Sequence, residues 1–88
     1  MAAYRYIVKG RVQGVGYRYF VARLAGGLGV NGFTRNRADG TVEVVAEAEE
    51  LALADLEAKL REGPAFARVE HVQREPITPR GDEGFHIR

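Results

Sequence analysis

The sequence has no cysteine, no serine and no tryptophan, and only two histidines and three prolines in 88 residues. Without cysteine there is no disulfide framework and no thiolate metal site, and without serine or cysteine the commonest covalent hydrolase nucleophiles are missing. His71 and His86 stand fifteen residues apart, not at the short spacing of a helix-borne pair of metal ligands. No apolar run approaches the roughly 20 residues that cross a bilayer, and the N-terminus carries no apolar signal segment. A cytoplasmic location and no membrane partner are therefore expected. An excess of one charge is lacking too: 13 Lys and Arg face 12 Asp and Glu, a formal net charge of +1. No overall basic field draws the chain to nucleic acid, so any anion site must be local.

What is present is the composition of a folded globular protein, 45% hydrophobic and 28% charged. The length suits one core, and a single domain over residues 1–88 is expected. Oligomeric state is not written in the sequence; a monomer is the expectation. The basic residues are mostly arginine, whose planar fork matches phosphate oxygens, although genomic base composition explains that bias equally well.

Hydrophobic period gives the order of elements. Tyr4 to Gly10 alternates, with Tyr4, Tyr6 and Val8 on one side and Arg5, Ile7 and Lys9 on the other, as a strand does. Phe20, Val21, Leu24 and Leu28 recur at helical spacing up to Gly29, a left-handed cap candidate, with Gly26 and Gly27 weakening the last turn. Val30–Arg37 and Thr41–Ala46 read as two strands joined through Ala38-Asp39-Gly40, and Asp-Gly signals an antiparallel hairpin. From Glu49 to Glu62, Leu53, Leu56 and Leu60 share a helical face, and Gly63-Pro64 stops it. Arg68 to Glu75 is a weaker strand with Val69 and His71 on one side and Val72 on the other; Gly84 to Arg88 adds a short final edge. The order β-α-β-β-α-β predicts an α+β ferredoxin-like sandwich: an antiparallel sheet with two helices on one face and the other face free.

That fold hosts binders and enzymes alike, so function rests on the site. The stretch from Gly10 to Arg18 leaves a strand, holds Gly10, Gly14 and Gly16, and delivers Arg18 into the first turn of a helix. Turn amides and the partnerless first amides of the helix make an anion cradle there, and Arg18 adds a full charge. On spacing alone, an ordinary turn beside a solvated arginine is the favoured reading.

The run Val8-Lys9-Gly10-Arg11-Val12-Gln13-Gly14-Val15-Gly16-Tyr17-Arg18 resembles the acylphosphatase signature: glycine, any residue, Val-Gln-Gly-Val, two residues, Arg. A second block, Gly32-Phe33-Thr34-Arg35-Asn36-Arg37-Ala38-Asp39-Gly40-Thr41-Val42, is similar to that family's aromatic strand leading to Asn, two residues, Asp-Gly. Gly63 to Val69 resembles the family's link between second helix and next strand, so the likeness covers nearly the whole chain. Three departures stand out: Tyr17 where Phe is common, Phe33 where a larger aromatic is frequent, and polar Thr34 where an aliphatic is usual.

The resemblance implies hydrolysis of acyl phosphates to carboxylate and inorganic phosphate by direct attack of water, without a phosphoenzyme. By the family pattern Arg18 and the amides of Gly14, Val15, Gly16, Tyr17 and Arg18 hold the phosphate, and Asn36 hydrogen-bonds the water. The substrate is a small molecule, and neither a cofactor nor a metal is implied. Asn36 is neutral and cannot be a base, so the proton is expected to pass to the substrate phosphate. Asp39 reads as the turn former, Glu47, Glu49 and Glu50 as a charged helix start, and the histidines as strand residues. The rival is a non-catalytic phosphate- or RNA-binding ferredoxin-like module, with Tyr4 and Tyr6 stacking bases. The basic-Gly-aromatic run of an RNA-recognition sheet is missing from Thr41–Ala46.

Overall fold

A computed structural model describes residues 1–88. Strand β1 (Ala2–Arg11) follows the alternation of its sequence: Tyr6 and Val8 are buried under the helices, while Arg5 and Lys9 face the opposite side. Helix α1 (Tyr17–Leu28) runs through Gly26 and Gly27 and ends at Gly29, which takes the left-handed conformation and donates its N–H to the Ala25 carbonyl. Strands β2 (Asn31–Asn36) and β3 (Val42–Ala48) form the expected hairpin. In its turn Asp39 Oδ1 accepts the Thr41 N–H at 3.0 Å and the Thr41 hydroxyl at 2.6 Å, and these two bonds, the hydroxyl foremost, hold the Asp39 carboxyl below its ordinary pKa. Asp39 is thus committed to the turn. Helix α2 (Glu50–Glu62) places Glu50 in its first turn and Lys59 and Arg61 in its last, matching the helix dipole, and stops at Gly63.

Strands β4 (Arg68–Pro76) and β5 (Phe85–Ile87) complete a sheet of order β4-β1-β3-β2-β5. The four long strands pair antiparallel as expected, but β5 lies parallel to β2, so the sheet is mixed. Both helices cover one face, α1 over β2 and β5 and α2 over β3 and β4. Val21 and Ala25 of α1 and Leu53, Leu56 and Leu60 of α2 meet Tyr6, Val8, Val42, Val44 and Val72 in one core. Each large apolar side chain so buried contributes about 1.5–3 kcal/mol.

One expected orientation is corrected. The β1–β4 register shifts between Lys9 and Gly10: Lys9 pairs with His71 but Gly10 with Val69, leaving Glu70 as the extra residue of a bulge. Val69 therefore turns to the core beside Val72, away from His71. Gly10 makes the bulge possible. Its φ is +129°, and a Cβ there would stand 2.1 Å from the Arg68 carbonyl oxygen.

The free face of the sheet is tied by charge. Glu43, only 5% exposed, accepts hydrogen bonds from the guanidiniums of Arg5 and Arg35 on the flanking strands, and Arg5 also reaches Glu75 at 3.0 Å.

Candidate active site

The register brings three chain segments to one end of the sheet. Val42 opens β3 and pairs with Val8 near the end of β1 and with Asn36, the last residue of β2. The loop from β1 to α1 crosses this end. Within it Gly14 and Gly16 have φ of +75° and +78°, which L side chains rarely adopt, and open space surrounds both. Their glycines are required by backbone conformation rather than by crowding, and the main chain stays approachable.

Gly16 is the N-cap of α1 and offers no side-chain cap; its carbonyl accepts the Phe20 N–H at 3.0 Å. None of the amides from Val12 to Gly16 donates to a main-chain acceptor, and the first amides of α1 have no intrahelical partner. A run of free N–H groups at the positive end of a helix is a site for a multiply charged oxyanion. The loop is held from three sides. Val15 packs against the core. Gln13 donates through Nε2 to the Arg37 and Thr41 carbonyls at 2.8 and 2.9 Å, clamping the loop to the β2–β3 turn. Tyr17 is buried and donates its hydroxyl to the Leu60 carbonyl at 2.8 Å, fixing the start of α1 against the end of α2. Burial raises the Tyr17 pKa, so the phenol remains a neutral donor.

Arg18 is half-buried in the first turn of α1, and its Nη1 donates to the main-chain oxygen of Arg88 at 2.8 Å. Arg88 in turn donates its N–H to the Thr34 carbonyl at 2.8 Å, so Arg18 is tied to the β2–β5 edge, two residues from Asn36. One of five guanidinium donors is oriented by protein and the rest stay available. Asn36 is half-buried, and its side-chain oxygen is fully buried without a protein partner. A buried amide oxygen left unpaired is uncommon.

Every residue expected at the site, Gly14, Val15, Gly16, Tyr17, Arg18 and Asn36, lies at this end of the molecule. Two contributors were not foreseen. Gln13 stood in the signature without a role, and an amide side chain amid small loop residues was the only hint of its clamp. The oxygen of Arg88 left no sequence signal, because it acts through the main chain. His71 and His86 lie on β4 and β5, opposite edges of the sheet, and cannot share a ligand.

A family model described as Acylphosphatase matches residues 4–87, spanning the loop, Arg18 and Asn36. The chain belongs to the acylphosphatase family. It is 47% identical over 83 residues to an acylphosphatase from Moorella thermoacetica, covering 94% of this chain and 89% of the relative. With an acylphosphatase from Deinococcus radiodurans it shares 49% identity over 81 residues, 92% of this chain and 93% of the other. The crystal structure of acylphosphatase from Bacillus subtilis superposes with a TM-score of 0.97 at 40% identity, covering 99% of this chain and 98% of that one.

The three departures from the family's usual residues have local causes. The Tyr17 hydroxyl has the Leu60 carbonyl to bond. Thr34 is fully buried, but its hydroxyl donates to the Glu43 carbonyl at 2.9 Å. Phe33, on the free face, is covered by the guanidinium of Arg88 at 4.0 Å and that of Arg80 at 5.2 Å from its ring centroid.

Proposed function

We infer that the chain hydrolyses acyl phosphates to a carboxylate and inorganic phosphate, with Arg18 and the amides of Gly14, Val15, Gly16, Tyr17 and Arg18 holding the phosphoryl group and Asn36 orienting the attacking water. The observation that carries this division is the pairing of unlike groups at one end of the sheet. Free loop amides and Arg18 suit an anion, whereas the neutral side-chain amide of Asn36, at the end of β2, suits a water molecule.

The chemistry asks little more. Water oxygen forms a bond to phosphorus as the bond from phosphorus to the acyl oxygen breaks, and that electron pair leaves as carboxylate. A carboxylate is a weak base and needs no general acid, so positioning and charge stabilisation carry the rate. The side-chain amide of Asn36 hydrogen-bonds the water and aims its lone pair; the released proton passes to a phosphoryl oxygen of the substrate. No step calls on a metal or cofactor.

The same proposal has the protein acting as a monomer on a small molecule in the cytoplasm, without a nucleic-acid partner. All the named groups come from one chain, and no helix is long and apolar enough to cross a membrane. A net charge of +1 gives no general attraction for polyanions.

The test is hydrolysis of benzoyl phosphate by the purified protein in excess chelator, beside Arg18→Ala and Asn36→Ala proteins shown to be folded. Chelator-resistant turnover is expected, lost by about 10²- to 10³-fold without Arg18, the usual cost of one preorganised transition-state donor. A folded but inactive wild type would replace this function with ligand binding alone.

A further inference from the structure

A groove of about 400 Å³ runs along α1, lined by Gly16, Tyr19, Phe20, Arg23, Leu24 and Pro64. That volume falls within the range of small-molecule sites, about 300–1,000 Å³. Its lining is mainly apolar, and Tyr19 is 64% exposed although it is a large aromatic residue on the surface of a small protein. The Arg23 guanidinium lies 5.8 Å from the Tyr19 ring centroid, holding the ring at the rim.

Two features connect this groove to the site. The first is Gly16, which lines the groove and is also the N-cap residue among the free loop amides. The second is direction. Successive helix residues turn by roughly 100°, so Tyr19, Phe20, Arg23 and Leu24 occupy a flank of α1 opposite to Arg18. Arg18 faces Arg88 and the β2–β5 edge where Asn36 ends its strand, whereas the groove faces Pro64, just beyond α2. In-line displacement puts the departing acyl oxygen on the far side of phosphorus from the water. With the water on the Asn36 side, the acyl group is directed toward the α2 side, where the groove begins.

We propose that this groove receives the acyl group of the substrate, selecting apolar acyl chains of ring size over the smallest ones, with Tyr19 as the specificity-determining wall. The proposal rests on the hydrolase reading above. It assigns Tyr19, Phe20, Leu24 and Pro64 to contact with the acyl body, leaving the phosphate to the loop. The methyl group of acetyl phosphate offers little apolar surface to such a groove, so its binding energy is available mainly to larger substrates.

The experiment compares kcat/KM for benzoyl phosphate and acetyl phosphate in the wild type, Tyr19→Ala, Tyr19→Phe and Leu51→Ala. Tyr19 and Leu51 are both exposed, so these proteins should fold, and Leu51 lies on α2 outside the groove. Losing the ring should lower the benzoyl-to-acetyl ratio about tenfold, the scale set by lost apolar contacts in a pocket. Tyr19→Phe should keep the ratio, because the wall is the ring rather than the hydroxyl, and Leu51→Ala should leave it alone. Turnover of both substrates with the same ratio in Tyr19→Ala and wild type would overturn the groove while sparing the hydrolase reading. Failure of the wild type to turn over either substrate would overturn both.

Discussion

Glu43 offers the sharpest test of how the free face of the sheet is held. Burial alone raises the pKa of this carboxyl, but hydrogen bonds and charge from Arg5 and Arg35 outweigh it, so the net shift is below the ordinary 4.5. Removing one member of a buried ion pair commonly costs about 3–5 kcal/mol, because the stranded charge stays buried. Here the partners are not deeply stranded: the Arg5 and Arg35 side chains are 32% and 48% exposed, against 6% for Glu43. Water can solvate the freed guanidiniums, and screening reduces the expected cost of Glu43→Gln to about 1–2 kcal/mol. At about 4–8 °C per kcal/mol for a domain of this size, Tm should fall by about 5–15 °C near neutral pH.

The sign of the pH dependence follows from the lowered pKa. The contribution of Glu43 is complete above its unfolded value near 4.5 and is lost as pH falls through the lower folded value. Wild type and Glu43→Gln should therefore differ by a constant Tm gap from about pH 7 to about pH 5, and the gap should close in stronger acid. Thermal melts followed by circular dichroism across that range measure it directly. A gap that persists unchanged in acid, or no gap at neutral pH, would refute the assignment of stability to this charge pair. Glu75→Gln, at the exposed end of the same network, should cost less than about 0.5 kcal/mol.

Two tyrosines should respond with opposite signs to loss of a hydroxyl. Tyr17→Phe removes the bond to Leu60 and should destabilise by about 1 kcal/mol, whereas the Tyr6 hydroxyl is buried without a partner and Tyr6→Phe should be neutral or stabilising by about 1 kcal/mol in urea titrations. Gly10→Ala should cost at least about 2 kcal/mol, since the new methyl meets the Arg68 carbonyl in the bulge; Gly40→Ala, strained by φ alone in open space, should cost about 1–2 kcal/mol. Asn36→Ala should lower kcat while leaving inhibition by inorganic phosphate nearly unchanged, and Arg18→Lys should recover little of the activity lost in Arg18→Ala; equal losses of turnover and phosphate affinity in Asn36→Ala would contradict the assigned roles.

The sequence reveals what local pattern controls. Alternation along Tyr4–Lys9 and the Leu53-Leu56-Leu60 stripe each declare a buried face, and Asp39-Gly40 declares the hairpin without knowledge of the rest of the chain. What it hides depends on partners distant in sequence. The bulge at Glu70 arises from the register against Gly10, so Val69 could not be oriented from its own strand. Strand β5 has three residues, too few to carry a period, and its parallel pairing is fixed by the Gly32 N–H to the Gly84 carbonyl, the Gly84 N–H to Asn31 Oδ1 and the Arg88 N–H to the Thr34 carbonyl. Glu43 reads as one more strand glutamate until Arg5 and Arg35 stand on either side of it. The site follows the same rule: the glycines and Arg18 stand in one short stretch, from Gly10 to Arg18, that resembles a family signature, whereas the supports around them come from distant elements.

If the proposed site is the catalytic one, those supports explain how it can serve without a nucleophile. When catalysis is positioning, each ångström of slack in the cradle is lost rate, and a loop containing two left-handed glycines is a flexible place to build one. Here the loop is restrained at Gln13 by the hairpin turn, at Val15 by the core and at Tyr17 by α2, while Arg18 is restrained by the edge strand. The restraints come from different elements, and none of them uses the free amides or the Asn36 oxygen. Backbone freedom shapes the cradle and long-range hydrogen bonds then remove that freedom. On the proposed reading, the donors are therefore aimed before the phosphoryl group arrives, and the ordering cost is met during folding rather than in each turnover.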